Sequence, residues 1–338
     1  MERWRGKWSG QHVIVPYAIS RDSDGLTADL LSQDYLQSNL PLTWEYLVEH
    51  RDALESREGD RFVGREDWYD FGYPKSMDRF ENPKLIGAEI ASEATFMLDD
   101  VGSWYFKAAY GVQLEPQYQD RTQLFAGLLN SKALDFYLKH YTSLKMGGYY
   151  KYTTNYLSPL PISWDDEAAV SKIQDAISDI TEALDLDSKT DRFPEAYLGA
   201  YDGELEYITY EWQTRRYPVD AEVQGGVDGE FTVQAGRSDT ISDPAMYADD
   251  RQARKQRAEY VRAAVDGRNV KSGAETTIPI PRSDDGVAAL LATLANDRET
   301  VAETSIEELE AEIDQAVYDL FELTPEEREV VEEYLEVF

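Results

Sequence analysis

Cysteine is absent from this sequence, which excludes disulfides, thiolate nucleophiles and cysteine-based zinc sites. Histidine is scarce. His12, His50 and His140 are scattered, none has a second histidine at metal-ligand spacing, and each reads as a surface or packing residue. No apolar run approaches the roughly 18 residues that a membrane-spanning helix needs. The opening residues MERWRGKWSG lack the apolar stretch of a signal peptide, so a cytoplasmic location is expected. Phosphate-cradling glycine loops of the GxxxxGK type are missing, as are a GxGxxG after a strand and a GxSxG elbow. The expectation is a chain with no catalytic residue and no metal site of its own.

Basic residues are also in short supply: 33 Lys and Arg stand against 66 Asp and Glu, a formal net charge of −33. Such a balance suits a disordered chain, but 23 Tyr, 7 Trp and a hydrophobic content of 42% argue for a folded one. An acidic surface repels itself in dilute buffer, and at molar salt, where the Debye length is about 3 Å, that repulsion largely vanishes. A salt-loving source is therefore expected, with mimicry of nucleic acid as the alternative. The acid is unevenly placed. Residues 1–163 hold 17 basic and 23 acidic residues, a net of −6, whereas 164–338 hold 16 and 43, a net of −27. The first part either presents a surface to an anion or is unusually buried.

The first part reads as mixed helix and strand. QHVIVPYAI is a strand with Pro16 at an edge or bend. PLTWEYLVEHRDALESR is a helix with Pro41 near its start and Trp44, Leu47, Val48 and Leu54 on one stripe. PKLIGAEI and TFMLDD are strands around a turn, and GSWYFKAAYGVQL is a further strand pair. QDRTQLFAGLLNSKALDFYLKHY is helical, broken at Asn130-Ser131, where one residue caps the second piece. In the second part, Val170, Ile173, Ile177, Ile180 and Leu184 mark a helix. A poorly patterned stretch over about 185–297 includes strand-like EYITYEWQTRRYPVDAEV and GEFTVQAG. It also includes a helix, DPAMYADDRQARKQRAEYVRAAVDG, with a dense basic cluster of Arg251, Arg254, Lys255 and Arg257, either a DNA contact or a self-paired, solvated face. The chain closes with an amphipathic helix and a second one starting at Thr324-Pro325.

One strip stands out. From Ser131 to Asn155 the sequence carries Lys132, Lys139, Lys145 and Lys151 against a single acid, Asp135. Gly147 and Gly148 permit close backbone approach or positive φ. Tyr149, Tyr150, Tyr152 and Tyr156 offer flat faces and hydroxyls, and Asn155 a bidentate amide. These are the residue types that meet phosphates, sugars and adenine edges. The residues alone fit equally a glycine turn between a helix and an edge strand, with tyrosines on a half-buried face.

The segment LFAGLLNSKALDFYLKHYTSLKMGGYYKYTTNYLSPLPI resembles the TaqI-like target-recognition region of Type II restriction-modification adenine methyltransferases. ERWRGKWSGQHVIVPY, LTWEYLVEHRDALESR, DWYDFGYPK and NPKLIGAEIA are similar to upstream segments of that family in the same order. The tail EIDQAVYDLFELTPEEREVVEE is similar to the family's end. The resemblance covers residues 1–163 well and about 305–335 moderately, and leaves 185–300 without a counterpart. It implies an α+β fold: a mixed-sheet target-recognition domain over 1–163, then an acidic helical and mixed α/β region over 164–300, then a helical pair over 301–338. It implies double-stranded DNA as partner, with Lys145 and Lys151 on phosphates and Gly147 and Gly148 close to the backbone. Tyr149, Tyr150, Tyr152 and Asn155 would line the groove, and Arg3, Trp4 and Lys84 would lie near the duplex, Lys84 being equally suited to a structural ion pair.

The departures matter as well. The family's catalytic Asn-Pro-Pro-Tyr/Phe loop is absent, since no two prolines are adjacent, and so is its S-adenosylmethionine loop. The resemblance thus implies a specificity part working with a methyltransferase catalytic subunit or a split N-terminal half, which would hold S-adenosylmethionine. A split gene, a truncated remnant and a separate subunit all fit. The alternatives are a metal-dependent nuclease within 185–300, or a non-catalytic acidic protein that mimics DNA. No membrane partner is expected.

Overall fold

A computed structural model describes residues 3–6, 11–22, 25–72, 76–106, 109–145, 147–213, 218–226 and 229–337. Residues 7–10, 73–75, 107–108, 146 and 214–217, all within segments read above, lie outside the described residues. The protein is α+β, and its chain divides into two compact units, Met1–Ile177 with Glu310–Phe338, and Ser178–Leu309. The C-terminal helices thus count with the first unit.

The first unit opens with a hairpin, β1 (Tyr17–Asp22) and β2 (Gly25–Leu30). The strand expected from Gln11 starts only at Tyr17, because Pro16 has no N–H to give to a ladder. Helix α1 (Gln33–Asn39) follows, capped by the Ser32 hydroxyl, which accepts from the Tyr35 N–H at 3.2 Å. The helix expected from Pro41 is present as α2 (Pro41–Glu49) and α3 (Arg51–Glu55), interrupted at His50 and followed by the short α4 (Arg57–Asp60). Leu36, Leu47, Phe62, Trp68 and Tyr69 form a small core there, with Trp44 and Leu54 packed against it. Val48, expected on the same stripe, faces solvent. Arg57 closes this core by donating to the carbonyls of Leu54, Trp68 and Asp70.

A three-stranded antiparallel sheet comes next. Its centre is β3 (Lys84–Ala88). After the two-residue β4 (Ile90–Ala91), β5 (Phe96–Asp99) and β6 (Ala109–Val112) flank β3. The segment expected to give a strand pair before Gln113 contributes β6 alone among the described residues. Helix α5 (Thr122–Asn130) packs on this sheet and α6 (Lys132–Tyr141) follows directly. The break between them has two separate causes. Ser131 caps α6, its hydroxyl accepting from the Leu134 N–H at 3.3 Å. Asn130, buried, uses its amide as an extra rung of the sheet: Oδ1 accepts from Phe96 N and Nδ2 donates to Phe96 O, both at 2.8 Å.

Then come β7 (Tyr150–Lys151), which pairs with β4, and the single turn α7 (Thr154–Leu157). Helix α8 (Glu167–Asp191) packs closely on α5: a Cβ on Gly127 would fall 2.4 Å from Ile173, so only glycine fits.

The second unit adds α9 (Glu195–Leu198), β8 (Leu205–Glu211), a meander of β9 (Ala221–Gly225), β10 (Phe231–Ala235) and β11 (Asp239–Ile241), then α10 (Arg251–Val265), β12 (Glu275–Pro281) and α11 (Asp284–Glu303). β12 pairs antiparallel with β8. Both sheets and α10 bury Ile208, Trp212, Val233, Tyr260, Val261 and Ile278 in one core. Each fully buried side chain of this size is worth about 1.5–3 kcal/mol against exposure.

The last helices, α12 (Ile306–Leu320) and α13 (Pro325–Val337), are joined by a reciprocal cap. Glu327 accepts from the Thr324 N–H at 2.8 Å and the Thr324 hydroxyl accepts from the Glu327 N–H at 3.3 Å. Asp314 of α12 accepts the first N–H of α6, from Lys132, at 2.8 Å. Burial pushes the Asp314 carboxyl up to about 6, against the lowering effects of that hydrogen bond and of the Lys132 charge. A carboxyl raised above its unfolded value stabilises the fold only when protonated, and that contribution is lost as pH rises through about 6. Asp314→Asn keeps the acceptor and removes the charge. The variant is expected to match the wild type near pH 4 and to exceed its unfolding free energy by about 2–3 kcal/mol above pH 7, read from paired denaturant titrations.

Candidate nucleic-acid interface

The strip between α6 and α7 folds as a short hairpin on the first unit. The Lys145 N–H donates to the Tyr149 carbonyl at 2.7 Å, and Gly147 and Gly148 take φ of 87° and 80°. Side chains with a Cβ rarely adopt that region, so the two glycines are what allow so tight a reversal. Among the described residues beyond its chain neighbours, no atom lies within 4 Å of where a Gly148 Cβ would sit.

Beyond the turn, side chains alternate in and out, as on any strand. Tyr150 and Tyr152 point inward and are buried, with 3% and 2% exposure. The Tyr152 hydroxyl donates to Asp135 Oδ1 at 2.6 Å. Burial, then the Asp135 carboxylate, hold that hydroxyl far above its ordinary pKa, so it stays a donor. Burial and a hydrogen bond with Tyr334 raise Tyr150 as well. Asp135 also pairs with Lys139 at 3.0 Å, both buried, and the Lys139 ammonium lies 5.3 Å from the centre of the Tyr150 ring. One acid on α6 thus fastens the hairpin base through two tyrosines and a lysine.

Several expectations are corrected here. Tyr150 and Tyr152 do not line a groove, because the strand alternation turns them into the protein. Lys84 is 3% exposed and pairs with Asp99, its partner across β3 and β5, while also donating to the Phe80 carbonyl. It is the structural ion pair, and Asp99 is completed by the N–H groups of Ser103 and Trp104 at 2.9 and 3.1 Å. Arg3 and Trp4 are tied down as well. Arg3 bridges Glu93 at 3.0 Å and Glu310 at 3.4 Å, and the Trp4 indole donates to Glu310 at 2.6 Å. These contacts fix the opening segment.

Of the four lysines in the strip, Lys132 meets Glu332 at 2.6 Å and Lys139 meets Asp135. Lys145 and Lys151 have no carboxylate partner among the described residues. Together with Gly147, Gly148, the 45%-exposed Tyr149 and the exposed Asn155, they make the outward face of the hairpin and α7. The sequence reading missed Tyr137 and Tyr141, which lie one helical turn apart on α6 and are both exposed; Tyr141 meets the Tyr156 ring edge-on at 6.0 Å. Their spacing, four residues apart at the end of an otherwise apolar-faced helix, is the signal that could have found them. Behind α7, a cleft of about 1050 Å³ is lined by Phe80, Phe106, Tyr110, Leu129, Leu157 and Ile162.

His50 and His140 each pair Nδ1 with the carbonyl four residues back, at 2.9 and 2.8 Å. Among the described residues no group of three or more His, Asp or Glu is placed to hold a metal ion. Among them, too, no helix is long and apolar enough to cross a membrane.

An exposed basic and aromatic hairpin on a mixed α+β scaffold is an arrangement suited to a polyanion. Residues 42–162 match the family described as the TaqI-like C-terminal specificity domain. That stretch, a little over a third of the chain, runs from α2 through the sheet, α5, α6 and the hairpin. The matched stretch lies wholly within the first unit.

Proposed function

We propose that this chain is the sequence-specific target-recognition part of an adenine-specific DNA methyltransferase in a restriction-modification system. One observation carries the reading: the two lysines of the specificity domain's exposed hairpin lack any carboxylate partner among the described residues, in a chain with twice as many acids as bases. Lys145 and Lys151 contact phosphates. Gly147 and Gly148 let the backbone approach the duplex, Tyr149 lies flat against it, and the Asn155 amide reads an adenine edge.

Chemistry belongs to a methyltransferase catalytic partner, either a separate subunit or a split N-terminal half. S-adenosylmethionine, held by that partner, supplies the methyl group. The acidic excess is an adaptation to concentrated salt, where screening weakens phosphate contacts and base-edge contacts carry more of the affinity.

Selection from a pool of randomised duplexes tests this. The reading expects bound duplexes to share a short consensus that contains an adenine. Recovery of bound duplexes with no consensus would contradict it.

A further inference from the structure

We propose that the first half of α10, together with Phe231 and Tyr247, forms a second contact for the DNA backbone, on the second unit. The inference shares with the proposal above only the choice of duplex DNA as ligand.

Helix α10 carries five basic residues besides its apolar face, and they fall into two groups. Arg257 and Arg262 are satisfied within the protein. Arg257, 4% exposed, donates to Asp284 at 2.6 Å and to the carbonyls of Ala245 and Arg282 at 2.8 and 2.6 Å. Arg262 pairs with Glu259 at 2.8 Å and Asp266 at 3.5 Å. Arg251, Arg254 and Lys255 have no carboxylate partner among the described residues. They stand at positions i, i+3 and i+4, so all three cations share one face, where like charges repel. Among the described residues of a chain with 66 carboxylates, none neutralises this face.

Aromatic rings hold two of the three. The Arg251 guanidinium lies 5.8 Å from the Phe231 ring centre and that of Arg254 lies 5.5 Å from the exposed Tyr247 ring. A guanidinium resting on a ring is fixed while its N–H edge stays available for a phosphate. Arg254 Nε is buried and makes no hydrogen bond among the described residues. Gly229, at φ 77°, lies beside the Arg254 guanidinium, where an added Cβ would come within 3.8 Å of it. The helix's own first N–H groups are not the attraction, since Asp250 accepts from Gln252 and Ala253 at 2.7 and 3.0 Å. The ligand that fits is an extended polyanion met by side chains, and the chain's specificity domain makes that polyanion duplex DNA.

The test uses the full chain and a 30-base-pair duplex of arbitrary sequence, with affinity measured by fluorescence anisotropy across a KCl series. Arg251→Gln, Lys255→Gln alters exposed residues only; a second variant adds Arg254→Gln, and circular dichroism checks both folds. The first variant is expected to lower the slope of log K against log [KCl] by about 2, equally on any sequence. An unchanged slope and affinity in that variant would overturn the inference, whether or not the triple variant folds. Lys145→Glu, Lys151→Glu is titrated alongside. Loss of binding there, with the α10 variant unaffected, sinks the α10 contact alone. Wild-type binding by the hairpin variant with a reduced slope in the α10 variant supports the α10 contact and sinks the hairpin reading. No wild-type binding at any salt sinks both.

Discussion

Reversing Lys145 and Lys151 to glutamate is expected to weaken duplex binding about 100-fold near physiological salt and to lower the salt slope by about 2, since each lost phosphate contact contributes about 0.9. The fold should survive. Neither lysine makes an ion pair among the described residues, and Lys145 lies at an exposed turn while Lys151 is only half-buried. Circular dichroism and the denaturation midpoint should match the wild type, so the loss is one of contact rather than of structure. A Tyr150 variant offers the contrasting case: its side chain is buried, so it should lose stability first and binding only as a consequence.

The largest expected effect on stability is at Asp135. Asp135→Ala leaves the buried Lys139 ammonium without its counter-charge and the Tyr152 hydroxyl without its acceptor. Breaking a buried pair from one side typically costs about 3–5 kcal/mol, a large share of the roughly 5–15 kcal/mol that holds a domain together. Urea unfolding should show that loss, and duplex binding should fail with it because the hairpin base is released. Replacing both members, Asp135→Leu with Lys139→Met, should recover much of the stability, since no charge is then stranded. A cost under about 1 kcal/mol for the single change would contradict the anchoring role given to Asp135.

The helices of the first unit were legible because their signals are local. Pro41 starts α2, Ser131 caps α6, and Thr324 with Glu327 forms a reciprocal cap; each is a contact within a few residues. The stripe of Ile173, Ile177 and Ile180 announced α8 for the same reason. α11 escaped notice because its buried residues are sparse: Val287 and Leu294 lie a full seven residues apart, and Asp297 is buried as an ion-pair partner of Lys189. Of that meander, GEFTVQAG announced β10, while the three-residue β11 is too short to be read and is fixed by pairing with β10.

The candidate site was half legible. That the strip is basic, aromatic and hinged by glycine can be read directly. Which tyrosines face out cannot, because the parity of the alternation is set by Asp135, 17 residues before Tyr152, and by the pairing of β7 with β4. Lys84 was ambiguous for the same reason, its partner Asp99 lying across a strand pair.

The most direct test of the central claim is lysine footprinting by brief acetylation of the folded chain, alone and bound to a selected duplex, read by mass spectrometry. The account predicts that Lys145 and Lys151 react freely alone and are protected by DNA, while buried Lys84 and Lys139 stay unreactive in both states. Equal reactivity of Lys145 and Lys151 with and without a duplex that is demonstrably bound would contradict it, and the hairpin would then be a structural turn and not the surface that meets DNA.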